Sequence, residues 1–493
     1  MTGQAEAAGA AVAEATRVKR KRKGRGGSGV GELGAAATWR LEPSTLDPPA
    51  LSADDAAASE ERLPLVLLEL KAYVAKRDNA TTAFSTTWDG QRIQVTFCPR
   101  RPPRVSYVCV HSPDAAEFHI EPEIVAVEDR LVVLRITVGP QEDVLKNLDY
   151  YVYQADDGSG APSLTHLPRP PSPYFFNADD MGILRYRTDD QSGVDNAAAY
   201  VVAGLHKEPC GQPSGQFNLC LYDSKRGSWK LHTASLNQQD LTQHGGRKFH
   251  HKNYKVMAIG GDAGTMAFVD LWRGILFCDV LKAEAEAEAE ATIPLRYVAL
   301  PEPLQRGKKL RGDAHLYRDI AVIGNRLKYV ELQLHWKASV LYRDTYFRDG
   351  WMAATWSRPA SSSSGDDCWC ENSRIMDSRD VKVDNNPHFE LLPKVQNDEG
   401  MTLPPFKRLD VCQPVLGLDD DDADIIYFTT KSDRMDADAW VVAVDMRNKE
   451  LLGVAAFDAE RYVGINFAYV HARISKYLKS DPTSGNCVIA YKR

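Results

Sequence analysis

Long apolar runs are missing from this 493-residue chain. No stretch approaches the roughly 18 consecutive apolar residues that a membrane-spanning helix needs, so no membrane contact is expected. Extended helical periodicity is scarce too, which disfavours bundles and doubly wound α/β folds. Cysteines are few, scattered and odd in number: Cys98, Cys109, Cys210, Cys220, Cys278, Cys368, Cys370, Cys412 and Cys487. Several sit inside apolar runs (Cys109 in VSYVCV, Cys278 in GILFCDV). They read as free, reduced, buried thiols rather than as a disulfide framework. Met1 to Ala15 lacks a compact apolar core followed by a cleavage site, so no secretory leader is expected. These absences together predict a soluble protein of the nucleus, the cytoplasm or both.

Motifs of common chemistry are missing as well. Gly260-Gly261-Asp262-Ala263-Gly264-Thr265 is glycine-rich, but the lysine and hydroxyl of a phosphate cradle do not follow it. A Gly-x-Ser-x-Gly nucleophile elbow is absent. Cys368-Trp369-Cys370 spaces its thiols more closely than a zinc pair does, and no second pair lies nearby. Asp419 to Asp422 lack the alternating ligands, central glycine and final glutamate of a calcium loop. His244, His250 and His251 sit among lysines, and in an extended segment His250 and His251 point to opposite faces. Asn79-Ala80-Thr81 matches a glycosylation sequon that is inert without secretion. The sequence therefore nominates no catalytic residue, no metal ligand and no cofactor.

What is present falls into two parts. Residues 1–62 combine Ala, Gly and Pro with few large apolar side chains and are expected to lack order. Within them lies a basic cluster of Arg17, Lys19, Arg20, Lys21, Arg22, Lys23 and Arg25. Residues 1–31 hold seven basic and two acidic side chains, so of the whole-chain charge of −7 the remainder carries −12. A short basic cluster in an accessible tail is what nuclear importers read. A fluorescent fusion lacking residues 17–25 should lose its nuclear fraction, and an unchanged distribution would refute the assignment. Affinity for nucleic acid rests on neutralising phosphates, so the acidic body disfavours it except through this tail.

From Leu63 onward short β-branched and aromatic runs alternate with turn residues. Leu65–Leu68, Ile93–Phe97, Val105–Val110, Leu131–Val138, Tyr150–Tyr153 and Met181–Tyr186 read as strands. Asp89-Gly90, Asp157-Gly158, Arg226-Gly227 and Asp349-Gly350 read as turns. Ala283 to Ala291 (AEAEAEAEA) has no apolar stripe and reads as a solvated hairpin loop. Hairpin-like units recur at Tyr150–Pro168, Phe217–His232, Gly274–Pro301 and Trp440–Phe457. Strands at this density suit a sandwich, a barrel or a propeller, and repeated hairpins that must stack to bury their apolar faces favour the last, one all-β, propeller-like domain over 63–493.

The run Phe268 to Val280 (FVDLWRGILFCDV) resembles the signature of a plant family, expanded in cereal grasses and catalogued as domain of unknown function 1618. The likeness continues through Leu295 to Pro301, Tyr317 to Val322 and Leu327 to Glu331. Arg77 to Thr82, Ile426 to Phe428 and Trp440 to Asp445 extend it. The resemblance implies no assigned catalytic residue and no cofactor. It also implies kinship with F-box-associated propellers, although the segment before Leu63 lacks the leucine-rich helical motif of an F-box. In the family signature Asp270, Trp272 and Asp279 read as turn-tying and packing residues.

Three functions follow as expectations. The first is a non-catalytic scaffold that binds another protein through loops on rigid blades. The second is an enzyme with its site in a central pocket, which converging carboxylate, histidine or arginine side chains would mark. The third is an F-box-associated-like recognition module without its own F-box.

Overall fold

The structure, a computed structural model, describes residues 41–50, 63–113, 118–139, 148–155, 160–171, 176–187, 199–207, 213–237, 240, 249–286, 292–305, 312–338, 346–360, 369–383, 387–394, 409–418, 424–462 and 467–478. These fall within one compact unit, Trp39–Arg493. The basic cluster from Arg17 to Arg25 lies outside the described residues.

The apolar runs form strands, and beyond a mixed first sheet the strands form antiparallel meanders. The first sheet holds β1 (Val66–Glu69), β2 (Tyr73–Val74), β3 (Ala83–Thr86), β4 (Arg92–Cys98) and β5 (Val105–His111). The second is β6 (Glu123–Glu128), β7 (Leu131–Thr137), β8 (Leu148–Gln154) and β9 (Ser163–His166). The third meander is β10 (Met181–Tyr186), β11 (Ala199–His206), β12 (Gln216–Asp223) and β13 (Ser228–Leu236). The fourth is β14 (Lys255–Gly260), β15 (Thr265–Asp270), β16 (Gly274–Asp279) and β17 (Ile293–Ala299). Ala234 to Leu236 run parallel to Ile293 to Leu295 and fuse these two meanders into an eight-stranded sheet. The fifth is β18 (Arg318–Ile323), β19 (Arg326–Ala338), β20 (Tyr346–Pro359) and β21 (Cys370–Asp377). The sixth is β22 (Asp410–Leu416), β23 (Ile425–Lys431), β24 (Asp438–Asp445) and β25 (Glu450–Asp458). The last strand, β26 (Tyr469–Ala472), returns to the first sheet and pairs antiparallel with β1, Val66 opposite Ala472 and Glu69 opposite Tyr469.

Aspartates close several hairpins by accepting backbone N–H groups two residues on, the local competition that makes Asp a turn former. Asp223 accepts from Lys225, Asp270 from Trp272 and Asp445 from Arg447, at 2.9, 2.9 and 2.7 Å.

Each meander has two apolar faces, and packing follows chain order. Tyr151 and Leu134 of the second sheet pack with Val95 and Leu68 of the first. Val152 packs with Val202 of the third, and Leu219 with Phe268 of the fourth. Ile275 packs with Tyr329 of the fifth, and Trp351 with Phe428 of the sixth. Val441 of the sixth then packs with Leu67 and Tyr469 of the first. The series closes on itself. Edge strands also meet in order: β6 with β10, β10 with β14, β14 with β18, β18 with β22 and β22 with β26. Ala72 N–H donates to Pro122 O and Ile124 N–H to Leu70 O, both at 2.7 Å, joining the segment after β1 to β6.

Three expectations are corrected. Val280–Glu286, which includes the start of the AEAEAEAEA run, is an α-helix, α1, rather than a loop. Its apolar stripe joins residues before the repeat to the first residue of the repeat: Val280 and Ala283 are buried beside Leu281, and Val280 and Leu281 donate to Gly264 O and Ala263 O at 3.1 Å. Asp349-Gly350 lies inside β20 and makes no hairpin. Gly350 takes φ +99° where the β19–β20 register shifts between Leu334 and Trp336, so its glycine serves a bulge. Residues 41–50, inside the span 1–62 expected to lack order, dock on the body. Pro43–Leu46 is a 3₁₀ turn with Thr45 buried, and Thr45 Oγ1 donates to Glu121 while Tyr107 Oη donates to Pro49 O. Prolines lower the entropy lost in ordering this piece, so a few hydrogen bonds suffice to fix it.

Candidate functional site

The C-terminal ends of β6, β10 and β26 and the residues after β22 converge on a recess of about 300 Å³. Its polar lining is Glu128 and Asp129 from β6 and its turn, Arg185 and Tyr186 from the end of β10 with Arg187 just beyond, and His471 from β26 with Arg473 just after it. Glu128, Asp129, Arg185 and Arg187 meet where β6 lies beside β10, and the pairing of β26 with β1 adds His471 and Arg473 from the far end of the sequence.

The recess has a firm floor. Leu418 N–H donates to His471 Nδ1 at 2.8 Å, and Arg473 Nη2 donates to Leu418 O at 2.9 Å. One backbone unit is thus held on both sides by β26 and the residue after it. Because Nδ1 accepts, the neutral ring carries its proton on Nε2. Burial lowers the His471 pKa to about 4, so the ring stays neutral at physiological pH. Behind it Asp319 ties three sheets: Lys255 Nζ of β14 lies 2.7 Å from Oδ1, and Leu416 N–H of β22 donates to Oδ2 at 3.1 Å.

The rim is charged. Asp129, held at φ +51° in the β6–β7 turn, accepts from Tyr477 Oη at 2.6 Å and from Arg185 Nη1 at 3.4 Å. Glu128 is different. Its carboxyl is half-buried, and burial raises its pKa to about 7, with the Asp129 charge pushing the same way and Arg473 opposing. A carboxyl raised in the folded state contributes stability below its unfolded value and loses it as pH rises through about 7. No serine, threonine or cysteine is among the described lining residues, and the hydroxyl of Tyr186, which also lines the recess, donates to Asp223 at 2.8 Å.

A second, shallower recess of about 330 Å³ is lined by His250, His251, Lys252, Tyr254, Trp272 and Arg273. His250 is exposed, while the half-buried His251 ring bonds Asn253 Oδ1 at 3.0 Å and stacks on Phe249. Among the described residues no group of three or more His, Cys, Asp or Glu is placed to hold a metal ion. Asp270 is fully buried and accepts from the Lys252 and Trp272 N–H groups and from Arg273. Asp279 accepts from Thr265 Oγ1 at 2.7 Å. Gly260 to Thr265 form the β14–β15 turn, and Asn79 accepts from Thr81 within its own turn and donates to the Phe97 carbonyl of β4. Cys368 and Asp419 to Asp422 lie outside the described residues.

None of these six lining residues, Glu128, Asp129, Arg185, Arg187, His471 and Arg473, was nominated from the sequence. Each closes an apolar strand (AVED, LRYR, VHAR), and a charged pair ending a strand is ordinary in a hairpin. The signal would have been that these particular strands open or complete their sheets, which only the pairing order supplies.

The fold and recess define a mainly β protein of mostly antiparallel sheets packed in a closed series, with a polar recess where edge strands end. Residues 268–427 match the family described as protein of unknown function (DUF1618), and over that stretch the chain resembles it. The match opens in β15 and ends in β23, so apart from Leu418 the recess residues fall outside it. The chain has no match among curated proteins.

Proposed function

We propose that the chain is a six-bladed β-propeller acting as a non-catalytic protein-interaction module, with the polar recess as its contact face. The blade reading is supported by the six units that pack face to face in chain order and by the edge strands that meet successively. Pairing of β26 with β1 is the closure such a ring requires. One observation carries the recognition reading: the recess presents exposed Arg185 and Arg187 on a backbone fixed by neighbouring sheets, beside charged groups from several blades. Rigid elements that project charged side chains at a shared mouth suit selective contact with a partner. The His471 Nδ1 is committed to Leu418, so in this arrangement the ring cannot abstract a proton through it.

The test is affinity capture with the full chain and an Arg185→Glu/Arg187→Glu variant, both verified as folded by thermal melting. The variant should lose partners that the unaltered chain retains. An identical partner set for the two proteins would overturn this contact face.

A further inference from the structure

The charged groups of the recess are unevenly satisfied. Asp129 has Tyr477 and Arg185, and Arg473 has the Leu418 carbonyl. Arg187, exposed at the end of β10, has no hydrogen bond or ion pair among the described residues. Glu128 accepts no hydrogen bond among them, although it is half-buried at the lip of the same recess. A desolvated carboxyl without a donor favours its protonated form, in which it becomes a donor itself. Three guanidinium groups line the same recess, Arg185 and Arg473 each with one donor already placed on Asp129 and on the Leu418 carbonyl, and a guanidinium fork is shaped for a two-oxygen anion.

From this complement, and resting on the interaction-module reading above, we propose that the recess binds an oxyanion carried by a peptide side chain. Arg185, Arg187 and Arg473 hold the oxyanion, and Glu128 donates a hydrogen bond to it as a neutral carboxyl. Carboxylate and phosphate share this chemistry. When Glu128 is ionised, binding takes up one proton from solvent, which ends on its carboxyl. The groups facing Glu128 are Asp129 beside it, Arg185 from β10 with Arg187 just beyond, His471 from β26 with Arg473 just after it, and Tyr477 beyond Asp129. The arginines hold their charge throughout, and His471 titrates near pH 4. Between pH 6 and 9 the change therefore belongs to Glu128.

The experiment is calorimetric titration of the full chain with acetylated, amidated pentapeptides whose central residue is glutamate, phosphoserine or serine. Binding by the glutamate or the phosphoserine peptide, and not by the serine peptide, is expected; which of the two binds more tightly identifies the source of the anion. Arg187→Ala should weaken binding about tenfold, the scale of one charge-assisted contact. With the glutamate peptide, affinity should level off below pH 6 and fall towards about tenfold per unit above pH 8, the limit for uptake of one proton. Glu128→Gln keeps a neutral donor, so its affinity should lose that dependence and at pH 8.5 match the unaltered chain at pH 6. Equal binding of the serine peptide, no binding of either anion, or a pH profile unchanged by Glu128→Gln would overturn the proposal. Partner loss in the Arg185→Glu/Arg187→Glu variant without any peptide binding would refute the oxyanion and leave the interaction module standing.

Discussion

Arg461→Ala should cost about 3–5 kcal/mol of stability, the usual consequence of leaving a buried carboxylate without its partner. Arg461 is buried in a short 3₁₀ turn and pairs with Glu69 of β1, 392 positions away. It also donates to Ala72 O and Lys71 O at 3.2 Å, stands 3.6 Å from Glu121 and lies 3.8 Å over the Tyr73 ring. Lys71 closes the cluster by reaching Glu121 at 2.6 Å and Arg461 O at 3.2 Å. Burial already raises the Glu69 pKa to about 7 against the pull of Arg461. Without that pull it rises further, and a carboxyl raised in the folded state stabilises only while protonated. The loss should therefore be greatest near pH 8 and shrink towards pH 5. Chemical denaturation at the two pH values measures it, and equal losses would show that the charge is not the cause. A Glu69→Gln/Arg461→Met double variant, which leaves no orphan charge, should recover much of the stability.

Truncation after Phe467 should have the larger effect still. It removes β26, which exposes the backbone edge of β1 and uncovers Leu67, Tyr427, Val441 and Phe457. An unpaired apolar edge invites association with other chains. The expected result is loss of the cooperative melt, with dye binding to exposed apolar surface and aggregation. A truncated chain that melts within a few degrees of the full one would refute the closing role of β26.

The strands were legible because their residues are locally decisive. Val105 to Val110 and Met181 to Tyr186 carry β-branched and aromatic side chains that suit a pleated, buried surface. Hairpins were legible where a turn residue acts on its own neighbours, as at Arg226-Gly227, where Gly227 takes φ +66°. Reading failed where the partner is distant. Gly350 has the look of a turn, and only its pairing across β19 makes it a bulge. Val280 becomes helical because Gly264 and Ala263 carbonyls meet its first turn. Residues 41–50 are ordered by Glu121 and Tyr107, which local composition cannot foresee. The recess was the least legible feature, since Glu128 and Arg473 become neighbours only after every sheet between them has packed.

The β1–β26 ladder also sets how the molecule answers to tension. Val66 opens β1 and Ala472 closes β26, and the two are opposite each other, so the chain leaves both strands at the same end of the ladder. A pull applied through the two flanks meets the backbone hydrogen bonds one pair after another, as a zipper is opened, and never loads them together. The contact between the last strand and the first sheet would thus open pair by pair, starting from the end at which the chain leaves it.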